Sequence, residues 1–478
     1  MNKKLRSPIN LAASLLLFAS TASAQTITDL PRISTTEVLK AGIYPRELTS
    51  LNNQVYFTAQ DESASSEWNR RYLWASSGSI AGTSMVASTA DVRIRPGVIP
   101  AANYWETRYT RPGEEMVALG NKLLLSTFDG VALFNTTDSS FSAKRVQGPA
   151  EWESVQLPLS APDRLNLFKA GNTAYTIAKG ELFGISAEPF SVSQLTNTRS
   201  RMSANAETSP FVSAFAPAGS SIIYAVTQWN GAPNTRYSML YSLNGNSHNR
   251  LSTLEIRSPL SFGIGVPKFT ISGMPEVVDV SEASASPVQP GAYIGRFNGT
   301  GTSLVNLNFT PPLRSHEEVI YGPESFMSSD SPFLHVLTRE LMGRTRLYRG
   351  TVRSNNSIAW TEVWAGVEAP GQFGIISMVK AFQGNVFLRY NMGQTIVVRA
   401  DGSWRYVDAQ DPDYQFVKLV LETTERVKVG KMWFFSSADG RDLGVAKEAT
   451  SAKPMAWIPR PKAKLAIPAQ TPSAIPQP

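Results

Sequence analysis

One turn followed by one apolar strand recurs along most of the chain. Leu51-Asn52-Asn53 precedes QVYFTAQ, Leu119-Gly120-Asn121 precedes KLLLSTFDG, and Ala170-Gly171-Asn172 precedes TAYTIAKGE. Further on, Gln383-Gly384-Asn385 precedes VFLRYNMG and Val429-Gly430-Lys431 precedes MWFFSSADG, with a looser copy at Ala218-Gly219 before SSIIYAVTQ. Gly and Asn tolerate the positive φ that tight hairpins require, so each copy reads as strand, tight turn, strand.

Each copy then continues in the same way. A second turn leads to a strand carrying Leu and an aromatic: Leu73-Trp74, Leu133-Phe134, Leu182-Phe183, Leu240-Tyr241 and Leu347-Tyr348. A last strand follows, as in SFSAKRV from Ser140, FSVSQLT from Phe190, SIAWTEVW from Ser357 and SWRYVDA from Ser403. Taking the apolar strand after each turn, the units begin near Val55, Leu123, Ala174, Ile222, Val277, Leu334, Val386 and Met432. A four-stranded unit recurring every ~50 residues is the sequence pattern of a radial array of sheets. The copy at Val277 is the weakest, and AYIGRFNG from Ala292 supplies its aromatic strand. The reading is an all-β chain, a β-propeller of four-stranded antiparallel blades, seven or eight in number. A pair of β-sandwiches would also show short strands and turns, but has no reason to repeat one turn at one interval.

The last unit lacks a fourth strand after LGVAKEA at Leu443, and TITDLPRISTTEVL near the start has no unit of its own. An open final blade would expose a strand edge. The N-terminal segment is therefore expected to supply the missing strand.

VYFTAQDESASSEWNRRYLWASSGSIAGTSMV, in the first unit, resembles the ELWxSDGT-type repeats of bacterial secreted or surface propeller-like proteins. The residues that carry the likeness are Leu73, Trp74, Ser76, Gly78, Ala81, Gly82, Thr83 and Val86; Ser77 and Ser79 depart from the pattern. FFSSADGRDLG from Phe434 is a second partial echo. The likeness covers about 35 residues, and it implies a fold and a location without a reaction.

Residues 1–24 read as a secretory signal peptide. Lys3, Lys4 and Arg6 precede the apolar run Leu11–Phe18, and Ala22-Ser23-Ala24 forms a cleavage site before Gln25. That run is too short to span a bilayer, and no later segment is apolar enough to do so. The chain has no cysteine, which excludes both disulfides and a lipid-modified N-terminal cysteine. The expectation is a protein of the periplasm or the outside of a bacterial cell. The net charge of +7 falls to +4 without the leader's three basic residues, and the remainder are interspersed with acids. Nucleic-acid binding, which needs a basic stripe, is not expected.

The propeller is expected over residues 25–452, with a Pro-rich, disordered tail at 453–478. One insertion, 91–116, gathers Arg93, Arg95, Tyr104, Trp105, Arg108, Tyr109 and Arg111. Arg, Tyr and Trp carry much of the energy at interfaces, and long loops in compact domains are often functional. These seven are the candidate binding residues; the alternative is that the aromatics cover the propeller face. Glu114, Glu115 and Arg111 are the charged cluster beside that loop.

No catalytic residue emerges from spacing. His248, His316 and His335 lie far apart and are read as belonging to different units, so no metal site is expected. Asp408, Asp411 and Asp413 form DAQDPD, read as a turn rather than a calcium loop. ADGSW at Ala400 is similar to the Asp-box of sialidases but lacks a residue between Asp and Gly, and reads as a hairpin turn. No nucleophile elbow or phosphate loop is present, and no cofactor is expected. The functional expectation is a non-catalytic module binding a protein or a glycan. The alternative is a polysaccharide hydrolase or lyase with its residues on the central axis, which local spacing would not reveal.

Overall fold

The computed structural model describes residues 30–60, 71–86, 116–126, 130–146, 167–178, 180–198, 211–218, 221–230, 235–245, 247–259, 268–274, 277–283, 293–297, 304–306, 313–321, 333–340, 344–353, 355, 357–366, 376–390, 394–423, 425–450 and 457. In parts of the strands of 211–259, and throughout 268–306, only the backbone is described. The chain is an all-β propeller. Among the described residues, eight four-stranded antiparallel sheets follow one another, here blades 1 to 8: 46–85, 116–145, 168–194, 211–259, 268–306, 317–365, 376–407, and 426–448 joined by 33–40.

Each of the eight anchor residues read from the sequence falls on the second strand of its blade, from Val55 in Gln54–Gln60 to Met432 in Met432–Ser436. The weak copy at Val277 is a full blade, its second strand Val277–Ala283 and its third Tyr293–Phe297. The first strands of consecutive blades lie side by side from blade 8 through blade 5, which makes them the inner strands of the array.

The apolar alternation shows why the array holds. Successive residues of a strand point to opposite faces. In blade 1, Val55 and Phe57 join a core with Phe434 and Val445 of blade 8, while Tyr56 joins Leu123 and Leu125 of blade 2. In blade 2, Leu124 turns the other way, toward Phe183 and Ile185 of blade 3. The Leu-aromatic pair follows the same rule with a constant sense. Leu73 and Leu133 face the next blade, and Trp74, Phe134, Phe183 and Tyr241 face the preceding one. The pair thus staples each sheet to both neighbours, which a sheet with two apolar faces requires.

The N-terminal strand Ile33–Lys40 is the outermost strand of blade 8, antiparallel to Leu443–Glu448, with Glu37 opposite Val445. Blade 8 is further tied to blade 1. The Glu425 carboxylate accepts the N–H groups of Glu47 and Leu48, the latter at 3.1 Å, and the Tyr44 N–H donates to the Arg441 carbonyl at 2.8 Å.

The motif residues of blade 1 build the turn between its third and fourth strands. Ser76 and Thr83 hydroxyls meet at 2.7 Å, the Gly78 N–H donates to Ser76 Oγ, and Thr83 Oγ1 donates to the Ser79 carbonyl. Gly78 has φ +91°, and a Cβ there would collide with the thioether of Met432 in blade 8. The equivalent turns of blades 2, 6 and 7 share another device. One oxygen of Asp138, Asn355 or Asp401 accepts both the N–H and the hydroxyl of a serine two residues on, Ser140, Ser357 and Ser403. ADGSW is such a hairpin turn, with Gly402 at φ +83°.

One element departs from the repeat. A helix, Tyr414–Glu422, occupies the connection from blade 7 to blade 8. Its buried residues Phe416, Val417 and Val420 share one core with Phe387 and Val397 of blade 7 and with Trp433 and Ala446 of blade 8. The helix is therefore a wedge between two blades. Its C-terminal carbonyls are met by cations: Lys380 Nζ donates to Thr423 O and Arg426 Nη1 to Val420 O, both at 3.0 Å, which complements the helix dipole.

Candidate functional site

The seven candidate binding residues, Arg93, Arg95, Tyr104, Trp105, Arg108, Tyr109 and Arg111, lie outside the described residues, as do Glu114 and Glu115. The two ends of their segment are described. Val86 donates its N–H to the Leu73 carbonyl at 2.8 Å, and Met116 is fully buried at the start of the inner strand of blade 2. The segment thus connects the outer strand of blade 1 to the inner strand of blade 2. Its two described ends lie at the end of the blades where the connections between blades run.

At the same end of blade 6, charged side chains from all four strands converge on Arg346, a residue only 2% exposed. Arg346 Nη1 lies 2.7 Å from Glu317 Oε1 and also pairs with Glu340, while its Nε is 3.5 Å from Glu362. Arg314 bonds Glu362 at 2.6 Å, and its N–H donates to Glu317 at 2.8 Å. The Tyr348 hydroxyl reaches Glu317 at 3.4 Å; burial, and then the charges of Glu317 and Glu362, push its pKa up to about 12. Three carboxylates around one buried guanidinium form a closed ion-pair network. Its chemistry is to hold four strands in register, since a buried charge of either sign is tolerated only when paired.

The acidic run DAQDPD serves the helix wedge. Arg405, in the outer strand of blade 7, pairs with Asp411 at 2.5 Å and with Asp413, and Arg32 Nε lies 3.4 Å from Asp413. Asp413 is the residue at which the helix begins. The Trp457 ring lies under both Arg399 and Arg405, at 3.7 and 4.9 Å from its centroid, and packs against the wedge core. Arg32, the helix wedge and Trp457 thus meet at one point. The rest of the tail, 451–456 and 458–478, lies outside the described residues.

The histidines are distributed differently from the sequence reading. His316 precedes the inner strand of blade 6 and His335 lies in its second strand, so both belong to one blade, because the unit begins one strand before its most apolar segment. His248 Nδ1 meets the Tyr224 hydroxyl at 2.8 Å in blade 4. Among the described residues no group of three or more His, Asp or Glu is placed to hold a metal ion.

Buried His335 is expected to make the fold acid-sensitive. Burial foremost, and then Arg349, lowers its pKa to about 3 from the ordinary 6.5. Between these values the unfolded chain binds a proton that the folded protein does not. The stability held above pH 6.5 is therefore lost as pH falls toward 3, by roughly 4 kcal/mol for this one group. Urea midpoints measured across pH 7 to 3 are expected to fall less steeply in His335→Gln than in the native chain. An unchanged slope would show that His335 is not the group responsible.

No family model matches the chain, and no curated protein matches it in sequence. Solved structures with a similar fold include BamB from Moraxella catarrhalis, at 11% identity over 88% of this chain and 99% of that one, with a TM-score of 0.36. Sqt1 from Saccharomyces cerevisiae is 12% identical over 88% of this chain and 100% of that one, with a TM-score of 0.40. Dipeptidyl peptidase 4 from Porphyromonas gingivalis is 8% identical over 86% of this chain and 61% of that one, with a TM-score of 0.43. These likenesses concern the fold alone. Among the described residues no helix is long and apolar enough to cross a membrane.

Proposed function

We propose that this chain is an exported, non-catalytic propeller that binds a protein or glycan partner in the periplasm or at the cell surface, with residues 1–24 as its cleaved leader. The observation that carries the reading is the way the buried charges are used. Buried Arg346, Arg405 and Glu181, and half-buried Glu425, are each bonded to groups of the same chain at strand ends and blade junctions. They stabilise a scaffold. The binding surface is assigned to the segment 91–116, which carries Trp105, Arg108 and their neighbours between the fixed ends at Val86 and Met116. The ELWxSDGT-like stretch of blade 1 belongs to this reading as a structural repeat of secreted proteins, and the tail residues after the anchor at Trp457 as a solvated extension.

The test is the double variant Trp105→Ala/Arg108→Ala, examined by crosslinking in the producing cell and by thermal melting. Loss of the crosslinked species with an unchanged melting curve is expected, equivalent to more than about 2 kcal/mol of binding energy for hot-spot residues. A lowered melting temperature with full crosslinking per folded molecule would make the segment a cover for the propeller face.

A further inference from the structure

At the end of the blades opposite Val86 and Met116, where the hairpin turns of blades 2 and 3 meet, the surface holds a groove of about 290 Å³. Leu133 and Ala187 give it an apolar floor, and Asn135 and Ser142 bring an amide and a hydroxyl to one wall. The turn of blade 3 forms the other wall and presents the Phe190 ring. Lys144 Nζ stands 5.5 Å from the centre of that ring. Lys122 Nζ lies 3.0 Å from the Glu188 carboxylate; the lysine side chain is 20% exposed and the glutamate 74%. Those two exposures decide the roles. Both residues line the groove, the lysine more deeply and the glutamate at its solvent-exposed edge. An ion pair with so exposed a partner is only weakly held, so Glu188 is a displaceable anion on the Lys122 ammonium.

We propose that this groove binds a carboxylate-bearing sugar residue of an acidic glycan. The sugar carboxylate replaces Glu188 on Lys122, with Lys144 adding positive charge at the rim. The C–H face of the ring lies on Phe190, and the hydroxyls meet Asn135 and Ser142. The volume is at the small end for ligand sites, which suits one sugar ring with its chain continuing into solvent. An acidic peptide would satisfy Lys122 but would leave the aromatic face and the hydrogen-bonding wall without a counterpart. The inference rests on the reading of the chain as a binding module, but uses none of the residues of 91–116.

The test uses the full chain with tetragalacturonate, titrated by calorimetry and by saturation-transfer NMR, against neutral cellotetraose and tetraglutamate. Tetragalacturonate is expected to bind, and Lys122→Met to weaken it by about tenfold or more, the loss of one charged contact. Phe190→Ala is expected to weaken it by about fivefold, as a lost ring contact does. Glu188→Gln should strengthen binding by about threefold or more, because the internal competitor is gone, the net worth of an exposed pair. A residue with only a structural role gives no such gain. Melting curves check that each variant folds, and Trp105→Ala/Arg108→Ala should bind tetragalacturonate normally, which separates this site from the other surface. The proposal is overturned if neither the native chain nor Glu188→Gln binds tetragalacturonate, if Glu188→Gln weakens binding, or if cellotetraose binds equally. Tetraglutamate binding as tightly as the sugar would assign the groove to peptides and overturn it too.

Discussion

Removing residues 26–39 is expected to make the propeller prone to aggregation. The deletion takes away most of the strand Ile33–Lys40 and leaves Leu443–Glu448 as the bare outer edge of blade 8. It also removes Leu30 and Leu39, which are 5% and 2% exposed, from the cores on either side of that blade. Arg32 goes as well, and with it one cation beside Asp413. Two large-to-small losses in the core and a row of ladder hydrogen bonds amount to at least about 5 kcal/mol. For a domain of this size that is a drop of roughly 5 °C in melting temperature. The exposed edge adds a template for pairing between molecules. Light scattering during a thermal ramp reads both effects. A deletion variant that stays monomeric and melts with the native chain would mean that blade 8 is complete with three strands.

That role for the N-terminal segment was legible because it is a matter of counting: one unit was a strand short, and one strand had no unit. The blades were legible for a similar reason. Gly and Asn at the first hairpin, an apolar run after it and the Leu-aromatic pair are local features, and each is enforced by packing on two neighbours. What local pattern could not show is what depends on register between distant strands. Glu317, Glu340, Arg346 and Glu362 are unremarkable charges in four strands until pairing brings Arg346 opposite Ala365 and Tyr348 opposite Glu362. The groove between blades 2 and 3 arises in the same way, since Lys122 opens a strand of blade 2 and Glu188 stands in a turn of blade 3. The helix Tyr414–Glu422 was missed for another reason. YQFVKLVLE is rich in Val, Leu and Phe, which suit a strand as well as a helix, and it directly follows DAQDPD, which was read as a turn. The available signal was Asp413 ahead of apolar residues at Phe416, Val417, Val420 and Leu421, a helical spacing after a capping residue. The candidate residues of 91–116 came from composition alone, and composition says which residues bind well without saying where they sit.

The buried centre of blade 6 gives the second large effect. Arg346→Met is expected to destabilise the protein by about 3–5 kcal/mol, because the Glu317 side chain is fully buried and would keep its charge without its closest partner. The cost falls on the acid left behind, so removing that acid should recover it. In Arg346→Met/Glu317→Gln the strand ends keep a hydrogen-bonding group of the same size next to an apolar chain, and most of the loss should return, since replacing both members of a buried pair is often near neutral. Glu340 and Glu362 stay more exposed, at 26% and 33% of their side-chain surface, and can turn to water. Glu317→Gln alone should cost less than Arg346→Met, because Arg346 still has Glu340 and Glu362 beside it. Urea denaturation of the three variants closes the cycle. A double variant as unstable as Arg346→Met would locate the loss in packing around the long arginine side chain instead of in the unpaired carboxylate. A single Arg346→Met variant as stable as the native chain would show that blade 6 does not depend on this network, and would remove the main reason for reading its charges as part of the scaffold.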